Sequence, residues 1–282
     1  MPSSHSSVVE LPVTFVSQQE RTQDDDEVCI EEPLEIRLAF ISDGQVFEKP
    51  LAVTMRTPGS DRDLATGFLL SEGIIYARAD LSSIEQLRRN VVVATLAPHA
   101  QIDWPKLQRH SYVSSSCGVC GKRSIAAVFQ TGVHRLTEGT PRLRSELIHH
   151  LSNTQRRQQT TFHRTGGLHA AALFDPEGRL VANFEDVGRH NALDKLIGRQ
   201  LLENRLPLND KLLLLSGRAC FELIQKASMA GIPVVASVGA PTSLAVSLAR
   251  DMGITLLGFV RDSRFNIYSD FGRLIEGTEE SE

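Results

Sequence analysis

The sequence predicts an α/β protein: a three-layer domain over residues 145–275, preceded by a smaller α+β module over residues 30–105. Two patterns carry this. Beyond residue 169, short apolar runs alternate with helical repeats of apolar residues, the signature of parallel strands joined by helices. Before residue 100 the apolar residues recur instead with the period of two that suits half-buried strands. The composition agrees, since 41% apolar and 23% charged residues in 282 are ordinary globular usage and exclude wholesale disorder.

Taken in order, residues 1–29 are polar with an acidic run at Asp24-Asp25-Asp26-Glu27, and read as a flexible arm. Leu34 to Phe40 alternates as a strand, Ser42-Asp43-Gly44 supplies a turn, and Val46 to Met55 reads as further strand interrupted at Pro50. Asp61 offers an N-cap to a helix bearing Leu64, Ala65, Phe68 and Leu69, stopped near Gly73. Val91 to Leu96 is another strand. Pro98 to Pro105 breaks the pattern, and residues 106–144 form a connector with a cysteine-bearing loop. A helix is expected over 145–157. His169 to Phe174 and Leu180 to Phe184 read as strands joined by the turn Asp175-Pro176-Glu177-Gly178. Leu193, Ile197 and Leu201 then mark a helix, and Lys211 to Leu215 a buried strand. A helix through Leu223, Ile224 and Ala227 ends at Gly231, followed by a strand over Ile232 to Val238. The helix of Leu244, Leu248 and Met252 closes at Gly253 before a last strand, Ile254 to Val260. Residues 276–282 are an acidic tail.

A net charge of −4 argues against a surface built wholly for nucleic acid. No run approaches the ~20 apolar residues of a membrane helix. The N-terminus lacks the basic start and apolar core of a secretion signal, and four cysteines are too few for a disulfide scaffold. A cytoplasmic protein without nucleic-acid or membrane partners is expected.

Two clusters could carry chemistry. In Ser114-Ser115-Ser116-Cys117-Gly118-Val119-Cys120-Gly121-Lys122, two thiols three apart sit among small residues, with a lysine that favours the thiolate. A zinc site would need more ligands than this stretch offers, and a thioredoxin-like dithiol would normally open a helix. A mobile nucleophilic cysteine suits the loop best, though spacing alone does not decide among the three. Cys29 and Cys220 read as small buried hydrophobes. The second cluster appears when the ends of the predicted strands are compared: Glu185 to Asn191 with Asp186, Gly188, Arg189 and His190; Ser216-Gly217-Arg218; Gly239-Ala240-Pro241; and Val260 to Arg264. In an open parallel sheet such ends gather along one edge, where ligands bind. Helix N-termini and arginines there suit phosphate, so a phosphate-bearing ligand, plausibly a nucleotide, is expected. His169, entering a strand after Gly166-Gly167, is read as either a rim residue or a ligand contact, and so is His190. No GxGxxG, GxxxxGK[ST] or GxSxG is present, which disfavours standard dinucleotide, P-loop and hydrolase sites.

Several blocks together resemble the FdhD proteins, accessory sulfurtransferases that make formate dehydrogenases active. They are Ala65-Thr66-Gly67-Phe68-Leu69 with Glu72-Gly73-Ile74-Ile75, Cys117-Gly118-Val119-Cys120-Gly121, Thr165 to Ala171, Glu185-Asp186-Val187-Gly188-Arg189-His190-Asn191-Ala192-Leu193-Asp194-Lys195, Ser216-Gly217-Arg218 and Gly258 to Arg261. The resemblance implies a cytidine-deaminase-like larger domain and a sulfur carrier. It implies that Cys117, with Cys120 as its partner, takes persulfide sulfur from a cysteine desulfurase. The sulfur would pass to the bis(molybdopterin guanine dinucleotide) molybdenum cofactor, bound as substrate, before that cofactor enters the formate dehydrogenase catalytic subunit. GDP would mimic the cofactor's nucleotide end. The family's cofactor-binding segment falls on Phe259, Val260, Arg261, Asp262, Ser263 and Arg264. With them the candidate contacts are His169, Asp186, Gly188, Arg189, His190, Ser216 and Arg218, and no resident metal is expected. Deamination is disfavoured, because Ala171 stands where a zinc deaminase has its proton-moving glutamate and the CxxC precedes the histidine. A homodimer is expected for a two-domain protein of this size. The main alternative is a chaperone that delivers the cofactor without sulfur chemistry.

Overall fold

A computed structural model describes residues 6–42, 44–100 and 135–276. Two β-sheets are joined through a pair of packed helices. The first sheet has four strands in the order β4-β3-β6-β5, from β3 (Glu32–Ser42), β4 (Gln45–Arg56), β5 (Leu81–Arg88) and β6 (Val91–Leu96). Pro50 stands in edge strand β4 where the register slips by one residue against Ile36 and Arg37; a residue without an N–H is tolerated at an edge or bulge, so the strand runs through. Helix α1 (Asp61–Ser71) covers this sheet with Leu64, Ala65, Leu69 and Leu70. Ser60, not Asp61, is its N-cap. The Asp61 carboxylate instead grips the fully buried Arg56 guanidinium at two points, 2.9 and 2.8 Å.

Residues 8–29 are not an arm but an antiparallel hairpin, β1 (Val8–Val16) with β2 (Arg21–Cys29). The acidic run lies within β2, where Glu27 pairs with Arg164. Composition misled here: the polar, acidic β2 hides the hairpin, although Val9, Leu11, Val13 and Phe15 of β1 alternate with period two.

The second sheet has six strands in the order β13-β12-β11-β10-β8-β9: β8 (His169–Phe174), β9 (Leu180–Asp186), β10 (Leu212–Leu215), β11 (Val234–Ser237), β12 (Thr255–Arg261) and β13 (Arg264–Ser269). Only β10, β11 and β12 run parallel, while β8 and β13 are antiparallel to their neighbours, so the expected parallel sheet is mixed. Every residue of β10 and β11 is buried, as befits strands covered on both faces. Leu213, Leu215 and Val235 face a layer of α4 (Arg189–Leu202), α5 (Phe221–Met229) and α6 (Ser243–Met252). Leu212, Leu214, Val234 and Ala236 face the other way, onto Ile148 and Leu151 of α2 (Ser145–Arg157). This is the three-layer arrangement the alternation predicts. A short helix α3 (Thr160–Thr165) leads into β8. Leu274–Ile275 (β14) and Leu143–Arg144 (β7) form a small parallel pair that no sequence pattern announces.

Helices α1 and α4 touch backbone to backbone. A Cβ added to Gly67 would lie 2.0 Å from the Asp194 carbonyl oxygen, and one on Gly198 would lie 1.9 Å from that of Asp63. Both glycines exist for this approach. Through it, residues of both sheets share one apolar core that includes Leu69, Leu193, Leu196 and Leu213.

Candidate functional site

The mixed directions do not scatter the predicted strand ends. His169 opens β8 opposite Asp186, which closes β9. Ala170 donates its N–H to Ser216 Oγ at 2.8 Å, and Ser216 N–H donates back to the Ala170 carbonyl at 3.0 Å, fixing the first residue after β10 beside them. Gly239 N–H donates to the Gly217 carbonyl, and Phe259 N–H to the Gly239 carbonyl. The ends of five strands are therefore knitted into one continuous edge. Gly217 lies so close to His169 that a Cβ there would sit 3.2 Å from the ring Nδ1.

The predicted residues divide by what they touch. Asp186 is fully buried and consumed within the protein. It accepts from Thr57 N–H (3.2 Å), Gly188 N–H (2.8 Å) and Asn191 Nδ2 (3.1 Å), and pairs with Lys195 Nζ at 2.7 Å. It positions the turn rather than contacting a ligand. Val260 is also fully buried, in the core on the α2 side, because β12 continues through it to Arg261. The segment expected to be a loop is thus a strand end and a tight hairpin, with Asp262-Ser263 between paired Arg261 and Arg264. Arg261 donates to the Val238 and Val260 carbonyls at 2.7 and 2.9 Å, and Asp262 accepts from Asn153 Nδ2 at 2.8 Å. Phe259 is 38% exposed and holds a left-handed φ of 54°, where β12 bulges against β13. A bulky residue rarely adopts that backbone, which marks the position as strained.

Arg189 begins α4, and Gly188 before it is extended. Its Nε is buried without a hydrogen-bond partner among the described residues. A buried guanidinium nitrogen left unpaired is costly, and an anionic oxygen at a helix N-terminus is the partner that geometry favours. Arg218 stands exposed on the neighbouring loop. His169 is held below its ordinary pKa by burial first and then by the positive charge of Arg189 and His190, so its ring is neutral at pH 7.

Cys220 departs from its expected role as a small hydrophobe. It immediately precedes α5, half-buried, with Sγ 3.3 Å from His190 Nε2; the same nitrogen is 2.9 Å from Glu222 Oε2. Burial would raise the thiol's pKa, but the His190 hydrogen bond and charge outweigh it and bring the thiol to about 7. Burial would likewise lower the His190 pKa, yet its bonds to Cys220 and Glu222 raise it on balance. The predicted start of a helix at Cys220 was the available signal, since a helix N-terminus favours thiolate. Cys117 and Cys120 lie outside the described residues.

The chain matches the FdhD/NarQ family model over residues 30–275. It belongs to that family. The sulfur carrier protein FdhD of Streptomyces coelicolor is 50% identical over 259 residues, covering 88% of this chain and 89% of that protein. Those of Mycobacterium tuberculosis and Saccharolobus solfataricus are 46% and 40% identical over 261 residues each, covering 88% and 92% of this chain and 91% and 95% of theirs. A Desulfotalea psychrophila crystal structure, described as a formate dehydrogenase accessory protein, superposes with a TM-score of 0.74 at 22% identity, covering 96% of this chain and all of that one; it shows the shared fold. Among the described residues, no helix is long and apolar enough to cross a membrane.

Proposed function

We propose that this family member carries sulfur: Cys117 takes the outer sulfur of a cysteine desulfurase persulfide and hands it to the bis(molybdopterin guanine dinucleotide) molybdenum cofactor, which then enters formate dehydrogenase. The family relatives named sulfur carriers support the first half. The observation that carries the second is the buried Nε of Arg189, unpaired among the described residues, at the N-terminus of α4, on an edge rimmed by Ser216, Arg218 and the Phe259 bulge. A guanine dinucleotide brings phosphate oxygens for Arg189 and Arg218, and a base that suits the exposed Phe259 ring. Fixing the cofactor by its nucleotide end makes sulfur delivery an oriented reaction, an advantage that can reach ~7 kcal/mol or more. In the transfer, the Cys117 thiolate attacks the terminal sulfur of the desulfurase persulfide; the desulfurase thiolate leaves and no net oxidation occurs. Attack of Cys120 on the Cys117 persulfide would then release sulfide and leave a disulfide.

Cys117→Ala should abolish formate dehydrogenase activation while leaving guanine-nucleotide affinity within about twofold of wild type by calorimetry, a change worth ~0.4 kcal/mol. Full activation by the variant would leave a cofactor chaperone without sulfur chemistry as the better account.

A further inference from the structure

Outside the proposed nucleotide edge and the CxxC, one set of reactive groups stands out: Cys220, His190 and Glu222. Two helix beginnings build it. His190 is the second residue of α4, Cys220 directly precedes α5, and Glu222 is the second residue of α5. The ring nitrogen lies within hydrogen-bond distance of both the sulfur (3.3 Å) and the carboxylate (2.9 Å). Sulfur at a helix N-terminus beside an imidazole is the arrangement that activates a thiol. Cys220 is half-buried, at the margin of the core rather than inside it.

We propose that Cys220 is a second sulfur-accepting thiol, which takes the outer sulfur of a small alkyl persulfide without the help of Cys117. The Cys220 thiolate attacks the terminal sulfur of R–S–SH. The Cys220 S–S bond forms, the bond within the donor breaks, and the alkyl thiolate leaves with the proton that His190 took from Cys220. The products are Cys220–S–SH and R–SH, with no oxidant or reductant consumed. Glu222 holds the imidazolium in place while the pair is charged. The thiol's low pKa makes about half of it thiolate at pH 7, against about one part in a hundred for an ordinary protein thiol of pKa near 9. Lower nucleophilicity offsets part of that gain, leaving a net advantage of about fivefold. The charged and titratable groups around the pair are Arg189, Glu222, Lys226, Asp194 and His169. The proposal borrows only its class of donor from the sulfur-carrier reading, and it stands or falls without Cys117.

The test uses full-length chains in which one of the four cysteines survives. Cys29→Ala/Cys117→Ala/Cys120→Ala retains Cys220, and Cys117→Ala/Cys120→Ala/Cys220→Ala retains Cys29, whose thiol is pushed above its ordinary pKa by burial. Each is incubated with cysteine persulfide and weighed intact. The Cys220 chain should gain one sulfur atom about fivefold faster or more at pH 7, and adding His190→Asn should remove the advantage. Equal rates for the two chains, or a rate indifferent to His190→Asn, would overturn the proposal. Iodoacetamide labelling of the wild-type chain, read by peptide mapping, guards against misfolded variants. Cys220 should label with a midpoint near pH 7. A midpoint near 9, or labelling blocked by stoichiometric zinc with no sulfur gained, would equally refute it. Failure here leaves Cys117→Ala and formate dehydrogenase activation untouched, so the two readings are separable.

Discussion

Gly67→Ala sets local preference against tertiary packing with opposite signs. Gly67 is in the middle of α1, where alanine is ordinarily the better residue by about 1 kcal/mol. On helix propensity alone, the substitution should raise the melting temperature by about 2–4 °C in a protein of this size. The structure predicts the reverse. The new Cβ would lie 2.0 Å from the Asp194 carbonyl oxygen, whereas even close C–H···O contacts keep about 3.3 Å. Both atoms belong to backbone or are rigidly fixed to it, so no rotamer change relieves the clash. The helices must part by about 1 Å, and a gap of that size forfeits a quarter to a half of each dispersion contact across the seam. The seam holds Leu64, Leu193, Leu196 and Ile197, all essentially buried. Overpacking of this kind costs about 3 kcal/mol, so the melting temperature should fall by about 6–12 °C. Differential scanning calorimetry of the full chain decides by sign. An unchanged or raised melting temperature would show that α1 and α4 do not approach as described.

Lys195→Met leaves the buried Asp186 carboxylate without its cation and should destabilise the chain by about 3–5 kcal/mol in urea unfolding; a loss under 1 kcal/mol would mean that Asp186 is not held as a buried ion pair. Arg189→Ala should weaken GDP binding about tenfold or more, from the loss of a charge-assisted contact to phosphate; unchanged affinity in calorimetry would move the nucleotide elsewhere. A bound phosphate should raise the depressed pKa of His169. Nucleotide binding should therefore take up protons and tighten as pH falls from neutral into the acid range, seen as a buffer-dependent calorimetric heat; tightening as pH rises would give the wrong sign.

Legibility followed burial. The helix over Ser145–Arg157 and helices α4 to α6 were readable because each buries one face and leaves a helical period, while strands β8 and β10 to β12 were readable as short, nearly continuous apolar runs. Strand direction left no such trace: β8 and β10 are as apolar as parallel strands, and only the pairing reveals that they oppose. The β1–β2 hairpin was missed because β2 is polar from Arg21 to Glu27 and offers no apolar pattern to match the alternating Val9, Leu11, Val13 and Phe15 of β1. At the site, Asp186 and Arg189 were indistinguishable as residue types after a strand. Depth separates them: Asp186 is closed off by Lys195 and three N–H donors, whereas Arg189 keeps a nitrogen unpaired among the described residues. Cys220 was misread because a cysteine beside a phenylalanine resembles core, and the deciding partner, His190, lies 30 residues away.

The Glu185–Lys195 block does two jobs at once. Asn191 donates to the Met55 carbonyl, Lys195 to the Thr57 carbonyl, and Thr57 returns its N–H to Asp186, so the segment between β4 and α1 is pinned to the turn that opens α4. One turn further on, Asp194 accepts both Ser71 Oγ of α1 and Lys226 Nζ of α5. These inward residues tie α1, α4 and α5 together through buried charges, which break expensively when one partner is removed. Interleaved with them, Arg189 stands at the proposed nucleotide edge and His190 reaches Cys220. The proposed nucleotide edge and the Cys220 cluster therefore share one helix beginning, and its position is set by the same contacts that join the sheets. A change that loosens the α1–α4 seam should disturb nucleotide affinity and Cys220 reactivity together, and Arg189→Ala should do both as well, because the Arg189 charge also helps to lower the Cys220 pKa.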